Sequence, residues 1–593
     1  MIAFLAMLLP VLKAFFVVMF SMNVAVLLTW VDRRQGAMIQ DRIGPDRAVI
    51  WLPQRVAQAM AVLPAGAVAL GAFLLGMQDK VQRAGEPVDL GRALVWSQLG
   101  VFITWFTAVV IAGSVRRRGA RNSFDRFLES VGDPRNFFYG GLALHIGTFL
   151  LCTLVRGSDS AELVRSLLNG AGVGIFAASV IGGALYAALQ MTEPRVGLRL
   201  VGLLHPAADG LKTAFKEDIV PPGVDKLMHG LAPFISFFPA LVVLAVVPFA
   251  DTLCVGTTDG VADVTKVLAN VPREGMCSEG AINFQVIDLN VGILYFFALA
   301  GTGIVGAALG GWASNNKYSL LGGLRAASQM VSYEVTLGLT LIGAIMIYGT
   351  LQVDEMVRWQ AQNTWGVFAQ PLAFILFFAA AVAESKRIPF DIPEGESEVV
   401  AGYFTEYAGM KFAMFFFAEY IAVVSSSAVM AAIFFGGWSL PFIHRDGIDI
   451  AVGSFSLYQQ QLSHGFVVLL GFLGFVAKVV ALCWLQLTIR WTLPRFRYDQ
   501  LMKLGWRMLL PASLINILVT GLVVLLVQGS SEAVQQGLSK LAELTQALVA
   551  LSGLVAGVAF VLFVLRPAQH KRVLSSTSAQ FAAEGTRRYP MGA

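Results

Sequence analysis

Long apolar runs separated by short charged stretches dominate the pattern along the chain. Many runs reach about 20 residues, the length that a helix needs to cross the hydrocarbon core of a bilayer. The apolar positions are continuous and do not alternate with polar ones, which favours helices over the strands of a membrane β-barrel. The pattern therefore predicts an all-α polytopic membrane protein.

About thirteen runs are predicted to be transmembrane helices. They cover residues 3–29, 59–77, 94–113, 137–155, 171–190, 231–250, 290–311, 328–349, 368–383, 412–436, 465–489, 507–527 and 543–565. The first run begins directly at the N-terminus without a basic leader or a small-residue cleavage site, which indicates a span and not a removed signal. Residues 205–217 have separate apolar and charged faces and are predicted to form a surface helix.

Composition supports the membrane-protein class, and the distribution of charge predicts the orientation of the chain in the membrane. The chain is 56% hydrophobic and 14% charged, whereas about a quarter of the residues are charged in soluble domains. With thirteen spans, the basic stretches 31–58, 114–136, 191–230 and 490–507 all fall on one side, which the positive-inside rule assigns to the cytoplasm. The N-terminus is then outside, the C-terminus inside, and loop 251–286 outside.

The four cysteines do not predict a metal or cluster site, because no two of them form a CxxC pair. The sequence also lacks a P-loop and a GxGxxG loop before a helix. Cys254 and Cys277 share the predicted external loop. They can form a disulfide in an oxidising compartment or remain two free thiols, and the sequence favours neither.

An acidic loop, FDIPEGESEVVAGYFTEY at residues 390–407, lies between two predicted spans. Charge runs are usually solvated, but the apolar residues within this loop, such as Phe390, indicate that it packs against another element. Carboxylates that are partly desolvated there would respond to a nearby change of charge. The loop carries Asp391, Glu394, Glu396, Glu398 and Glu406.

Four ionisable residues lie within apolar runs or at their ends: Glu334, Glu384, Glu419 and Lys478. A charged group in hydrocarbon costs free energy, so such residues are typical of proton or ion paths. The alternative is that they pair with one another between helices or lie near the interface. For Glu334 and Glu419 the sequence favours the path. For Lys478 the sequence favours neither the path nor the structural alternative.

Six motifs in one order resemble a known family. The two long ones are AESKRIPFDIPEGESEVVAGYFTEYAGMKFAMFFFAEY (383–420) and GWASNNKYSLLGGLRAASQMVSYEV (311–335). The shorter ones are DRIGPD (41–46), HPAADGLKTAFKED (205–218), FFGGW (434–438) and RYDQLMKLGWRMLLP (497–511). Together they resemble the quinone-site membrane component, the H subunit, of bacterial NADH-quinone oxidoreductase, respiratory complex I.

The resemblance implies a position and a set of partners. Such a protein lies in the bacterial inner membrane, where the peripheral redox arm meets the membrane arm, and forms much of the quinone chamber. Its implied partners are the peripheral quinone-site and iron–sulfur subunits, the small membrane subunits and the antiporter-like subunits. FMN and the iron–sulfur clusters belong to partner subunits. The chain alone is expected to bind no cofactor, and quinone is its substrate.

The resemblance also implies residue roles. The proton path would consist of Glu334, Glu384, Glu406 and Glu419. The coupling loop would consist of Asp391, Glu394, Glu396 and Glu398. The quinone chamber and its entrance would be formed by Arg42, Arg47, Lys212, Lys216, Glu217, Lys317, Arg325 and Arg387. No residue is expected to carry a self-contained active site.

This chain departs from the family pattern in several places, among them Asp46, His205 and Ile388, which replace a common Asn, a common Gln and a smaller residue. Asp32 stands where a Glu is usual, near the expected chamber. Residues 47–194 separate motifs that nearly touch in the family and contain four predicted spans. We therefore expect an eight-helix core with four inserted spans and one additional C-terminal span. The predicted parts are 1–46, 47–194, 195–527 and 528–593.

Two other functions remain open. One is the related membrane component of an energy-converting hydrogenase or a formate hydrogenlyase. This alternative is disfavoured by the complete pattern PFDIPEGESEVVAGYFTEYAGMKFA. The other is an independent ion transporter, in which the acidic residues bind the coupling ion. The scarcity of broken helices in inverted repeats argues against the transporter.

Overall fold

The apolar runs fold as helices in the computed structural model. It describes residues 2–40, 44–45, 48, 50–82, 93, 96–104, 123, 126, 130, 140, 142–148, 150–151, 161–189, 195–198, 202–258, 261–268, 271, 277, 280–393, 401–452, 455–530, 537, 544–545, 547–549 and 552–553. The described chain forms two compact units, one of Met1–Val49 with Arg199–Ser552 and one of Ile50–Leu198 with Gly553–Ala593.

The first unit contains twelve of the described helices and most of the polar side chains discussed below. The helices are α1 (Ile2–Ile39), α4 (Leu204–Ala214), α5 (Lys226–Val242), α6 (Gly292–Ala313), α7 (Lys317–Tyr348), α8 (Val353–Gln362), α9 (Gly366–Ala369), α10 (Pro371–Glu384), α11 (Gly409–Phe434), α12 (His464–Thr492), α13 (Tyr498–Lys503) and α14 (Leu510–Gln528). Short 3₁₀ helices cover Val243–Val246 and Gly402–Phe404, and a π-helical turn, Leu504–Leu509, joins α13 to α14.

Within the described ranges, nine helices are long and apolar enough to cross a membrane. They are Leu8–Ile39, Gln54–Leu74, Ser166–Ala184, Lys226–Val246, Gly292–Ala313, Lys317–Tyr348, Gly409–Phe434, His464–Thr492 and Tyr498–Gln528. Helix α10 is apolar but shorter. The all-α polytopic class is thus confirmed. The predicted spans 94–113, 137–155 and 543–565 are only partly described, so the count of thirteen stays a prediction.

Helix α11 lies at the centre of the first unit, because 83% of its most apolar window is buried, against 17% for the span that contains α14. It packs against α5, α12 and α1, while α7 packs against α6, α10 and α14. The core around it includes the fully buried rings of Phe377, Phe434 and Phe475. Small residues allow α5 and α6 to approach each other closely, since a Cβ on Gly306 of α6 would clash with Ser236 Oγ on α5.

Two small antiparallel sheets lie in loops of the first unit. Their strands are β3 (Leu253–Thr258), β4 (Val261–Val267), β5 (Gly280–Ile282), β6 (Ile443–His444), β7 (Gly447–Val452) and β8 (Phe455–Gln461). The orders are β4-β3-β5 and β6-β7-β8. Cys254 of β3 is joined to Cys277 by a disulfide, which settles the question that the sequence leaves open. Arg445 connects the two sheets' loops by donating hydrogen bonds of 2.6 and 2.8 Å to Asp251.

The second unit is built on α2 (Gln54–Gln82) and α3 (Ala161–Leu189), which pack against each other. Strands β1 (Ile50–Pro53) and β2 (Arg195–Leu198) pair in antiparallel fashion at its ends. Gln98 Nε2 donates a 2.7 Å hydrogen bond to Thr148 Oγ1 within the unit.

The predicted surface helix of the first unit is also observed, since α4 covers residues 204–214 and has no buried residue.

Candidate functional site

The end of α10 and the loop after it turn inward. Pro371 lies in the first turn of α10, where a missing N–H costs nothing, and Glu384 is the last residue of the helix. Gln329, a fully buried side chain of α7, donates hydrogen bonds of 2.7 Å to Ala383 O and 2.9 Å to Phe390 O. These bonds hold loop 385–393 against α7. Charged side chains that would otherwise lie in solvent are buried as a result.

Five side chains form what we name the carboxylate cluster: Glu384, Lys386, Arg387, Tyr403 and Glu419. Lys386 Nζ donates to Tyr403 Oη at 3.3 Å, and Tyr403 Oη donates to Glu419 Oε1 at 3.2 Å. Arg387 lies on the other side of Glu419, with its Nη2 3.6 Å from Oε2. A carboxylate between a phenol and a guanidinium can exchange protons with one and balance charge with the other.

A cavity of about 70 Å³ adjoins the cluster. A volume of this size admits several water molecules, and water occupies a cavity when polar groups are present to bind it. Its polar lining includes Glu384, Lys386, Tyr403, Glu419, Ser236 and Ser425. The cavity can therefore hold the water that carries protons between groups that do not touch.

The cluster contains two carboxylates and two cationic side chains, so its formal charge is balanced. Lys386, Arg387 and Glu419 are 7%, 5% and 4% exposed. Burying an unbalanced charge is costly, and removing one partner of a buried pair typically costs about 3–5 kcal/mol. The proton occupancy of each carboxylate therefore depends on the others, and the groups titrate as a set.

The cluster continues toward α1 through an aromatic ring. The Arg387 guanidinium lies 3.9 Å from the centre of the Tyr420 ring. Tyr420 Oη donates a 2.9 Å hydrogen bond to Asp32 Oδ2, and Trp491 Nε1 donates a 2.8 Å bond to Asp32 Oδ1. Arg490 forms an ion pair with Asp32. The carboxylate that replaces the expected Glu thus ties α1 to α11 and α12.

The four acids of the predicted proton path occupy different surroundings. Glu384 and Glu419 line the cavity. Glu334 is half-buried on α7 and interacts electrostatically with Glu384; a Cβ on Gly301 of α6 would meet its carboxylate at 2.7 Å. Glu406 lies in the loop before α11, where its Oε1 accepts a 2.7 Å hydrogen bond from Asn316 Nδ2. Glu384 and Glu419 therefore share the cavity, Glu334 lies within electrostatic reach of Glu384, and Glu406 lies beside the start of α7.

The predicted coupling loop is only partly described. Asp391 is 3% exposed, and its carbonyl oxygen accepts a hydrogen bond from Arg495. Glu394, Glu396 and Glu398 lie outside the described residues. Asp391 is among the groups that interact electrostatically with Glu419. The described start of the loop is therefore within electrostatic reach of the carboxylate cluster.

The residues assigned to the chamber and its entrance do not form one cluster. Arg387 belongs to the carboxylate cluster. Five of the others are exposed: Lys212, Lys216, Glu217, Lys317 and Arg325. Arg42 and Arg47 lie outside the described residues. The chamber role of all eight stays a prediction.

Sequence reasoning missed the positions of Lys386 and Tyr403 in the carboxylate cluster. Lys386 is not among the candidate residues of the sequence analysis, but the lysine is buried and faces the cavity. Tyr403 is fully buried, and it bonds to Glu419 across 16 residues of sequence. Two signals were available: both residues lie within the long motif 383–420, and Lys386 stands two residues after Glu384, an acid at the end of a span. In the described part of the chain, no group of three or more His, Cys, Asp or Glu side chains is arranged to hold a metal ion.

Comparison with known proteins gives a consistent result. A family model described as NADH dehydrogenase matches residues 178–521. The chain is 42% identical over 325 residues to an H subunit of NADH-quinone oxidoreductase from Cytophaga hutchinsonii, a match covering 55% of this chain and 84% of the relative. It is 45% identical over 323 residues to an H subunit from Geobacter metallireducens, covering 54% and 83%. It is 38% identical over 400 residues to the H subunit from Bacillus cytotoxicus, covering 67% and 98%.

Proposed function

The chain belongs to the NADH dehydrogenase family, that of the membrane-embedded H subunits of NADH-quinone oxidoreductase, and from this premise we propose that it lines the quinone chamber and links quinone reduction to proton movement. The observation that carries the proposal is the charge-balanced carboxylate cluster beside a cavity that can hold water. Such a cluster responds as a unit when a charge nearby appears or disappears.

The proposed coupling begins with the charge that quinone reduction creates. Conversion of a quinone to a quinol takes up two electrons and two protons. The electrons come from an iron–sulfur cluster of a partner subunit. When protons are drawn to the reduced quinone, the field at loop 385–393 changes, and Arg387 and Asp391 carry this change to Glu419. A proton then moves between Glu419 and Glu384 through Tyr403 and cavity water, and Glu334 continues the path.

Partners supply what this chain does not. NADH oxidation at FMN and electron transfer through the clusters belong to the peripheral subunits. The exposed basic residues at the start of α7 and in α4, such as Lys317 and Lys212, form part of the surface that meets the peripheral quinone-site subunit. The small membrane subunits and the antiporter-like subunits receive the protonic signal.

We place the chain in the bacterial inner membrane with its N-terminus outside and its C-terminus inside. The disulfide Cys254–Cys277 supports this orientation, because it lies in loop 251–286 and disulfides persist on the oxidising side of that membrane. The proposed insertion 47–194 is supported by the compact unit that begins at Ile50 and whose described strands end at Leu198. Residues 528–593 are proposed to be a second addition.

The experiment is to tag the chain, solubilise the membranes gently, isolate the intact assembly and identify its subunits. The proposal expects flavin and iron–sulfur subunits together with inhibitor-sensitive NADH:quinone activity. Isolation with a nickel–iron hydrogenase partner would contradict the quinone chamber. A chain that is isolated alone and moves ions alone would contradict the whole proposal.

A further inference from the structure

Lys478, within the span α12, lies in a cage of backbone carbonyl oxygens. Its Nζ donates hydrogen bonds to Phe435 O at 2.7 Å, Gly437 O at 2.9 Å and Ser439 O at 2.6 Å. The Trp365 ring covers a further side, with its centre 4.4 Å from Nζ. We name the turn 435–439 with Trp365 the carbonyl cage.

The geometry suits the charged form of this lysine. An ammonium group has three N–H donors and no acceptor, and each donor here reaches a carbonyl oxygen. A neutral amine has only two N–H bonds, so its lone pair would face one of the three oxygens, which cannot donate a hydrogen bond. An aromatic ring face is a further favourable neighbour for a cation. The cage thus has the chemistry of a site for a monovalent cation.

Two glycines of the FFGGW motif build the cage. Gly436 and Gly437 have φ values of +69° and +49°, in the left-handed region that favours glycine. A Cβ on Gly436 would lie 2.8 Å from Trp365 Nε1, and one on Gly437 would lie 2.7 Å from Val357 Cγ2. The turn can therefore reverse tightly enough for alternate carbonyls to converge on one point.

The cage is tied to the helix that carries Glu384. Gln360 Oε1, on a fully buried side chain, accepts hydrogen bonds of 2.9 Å from both Gly436 N and Gly366 N. Gly366 begins α9, which leads directly into α10. The cage therefore fixes the start of α10, while the carboxylate cluster lies at its other end. Along α11 the two sites are roughly 24 Å apart, because the 16 residues from Glu419 to Phe435 rise about 1.5 Å each.

We propose that the carbonyl cage is a binding site for a monovalent cation of the ammonium type, occupied in the native chain by the ammonium of Lys478, and that this internal cation holds the 435–439 turn and the start of α10 in place. The site is independent of quinone chemistry. The class of ligand follows from the three converging carbonyl oxygens, which accept hydrogen bonds from the N–H groups of the cation.

The test compares Lys478→Ala and Lys478→Met in the isolated intact assembly, with the midpoint of thermal unfolding as the readout. Both variants are expected to lower the midpoint by several degrees. Methylammonium chloride should restore much of the loss in Lys478→Ala, whose cage is vacant, but not in Lys478→Met, whose side chain fills it. Tetramethylammonium chloride at equal ionic strength has no N–H donor and should restore nothing.

The matched control is Lys13→Ala, which removes a lysine of the span α1 outside the cage and should not respond to methylammonium. Variants as stable as the native assembly would overturn the proposal, and so would equal rescue by the two salts. If Lys478→Ala does not assemble, the cells are grown with either salt and assembled protein is measured. Recovery with methylammonium alone supports the site, and failure with both overturns it.

Discussion

Lys386 and Lys478 are both enclosed within the same helical unit, but their partners differ in kind. Lys386 donates to a phenol that in turn bonds to a carboxylate, beside a cavity with room for water. Lys478 donates to three carbonyl oxygens of one turn. Carboxylates and phenols gain and lose protons, whereas backbone carbonyls do not at ordinary pH. The first surroundings suit changing protonation, and the second suit a fixed charge.

This difference in surroundings gives the two lysines different proposed roles within one bundle. Around Lys386, the balance of charge depends on the protonation of Glu384 and Glu419. A proton added to one group of the cluster therefore changes the proton affinity of the others. Around Lys478, every N–H has a partner, so the charge stabilises one arrangement of the chain. Substitutions at the two sites should therefore separate turnover from stability.

The largest effect is expected from Lys386→Met. The variant keeps the length of the side chain but leaves two buried carboxylates facing one cation, at a typical cost of about 3–5 kcal/mol. Inhibitor-sensitive NADH:quinone turnover of the isolated assembly should fall about 100-fold, because proton exchange between Glu384 and Glu419 loses the cation that balances their charge. NADH oxidation by an artificial acceptor that bypasses quinone should remain. Turnover within a factor of about two of the native value would place Lys386 outside the coupling path.

A smaller effect is expected from Tyr403→Phe, which removes only the hydroxyl between Lys386 and Glu419. Hydrogen bonds to charged groups contribute about 1.5–3 kcal/mol, so quinone turnover should fall about tenfold. Steady-state assays of the isolated assembly measure it. Tyr318→Phe, at an exposed ring on the same unit, is the matched control and should leave turnover unchanged. Equal rates in the two variants would show that the phenol does not transmit protons.

The smallest effect on turnover is expected from Gly436→Ala. A side chain there adopts a left-handed conformation and meets Trp365 at 2.8 Å, so stability should fall by about 1–3 kcal/mol. Thermal unfolding of the assembly should register the loss, while turnover per assembled molecule stays native. Gly338→Ala, in the middle of α7 with open space beside the glycine, is the control and should not destabilise. A loss of turnover without a loss of stability would reverse the distinction between the two sites.

Much of the architecture could be predicted, because long apolar runs admit few alternatives in a membrane. The run that became α11 predicts a span directly, and the amphipathic pattern at 205–217 predicts α4. The partners of Lys386 could not be predicted, because the loop that carries Lys386 is held inward by Gln329 of another helix. For Lys478 the sequence left a proton path and a structural role equal, since the carbonyls that surround it carry no sequence signal beyond two glycines. The pairing of Cys254 with Cys277 likewise depends on a strand register that spacing does not determine.

The central claim is that the carboxylate cluster couples quinone reduction to proton movement. The most direct measurement uses the isolated assembly carrying Glu419→Gln, reconstituted into vesicles, with proton translocation and quinone reduction recorded together. Glu355→Gln, at an exposed acid of α8, serves as the control. The account predicts that Glu419→Gln lowers proton translocation at least about tenfold, while the assembly stays intact and the control remains native. Native rates of both proton translocation and quinone reduction in Glu419→Gln would contradict it.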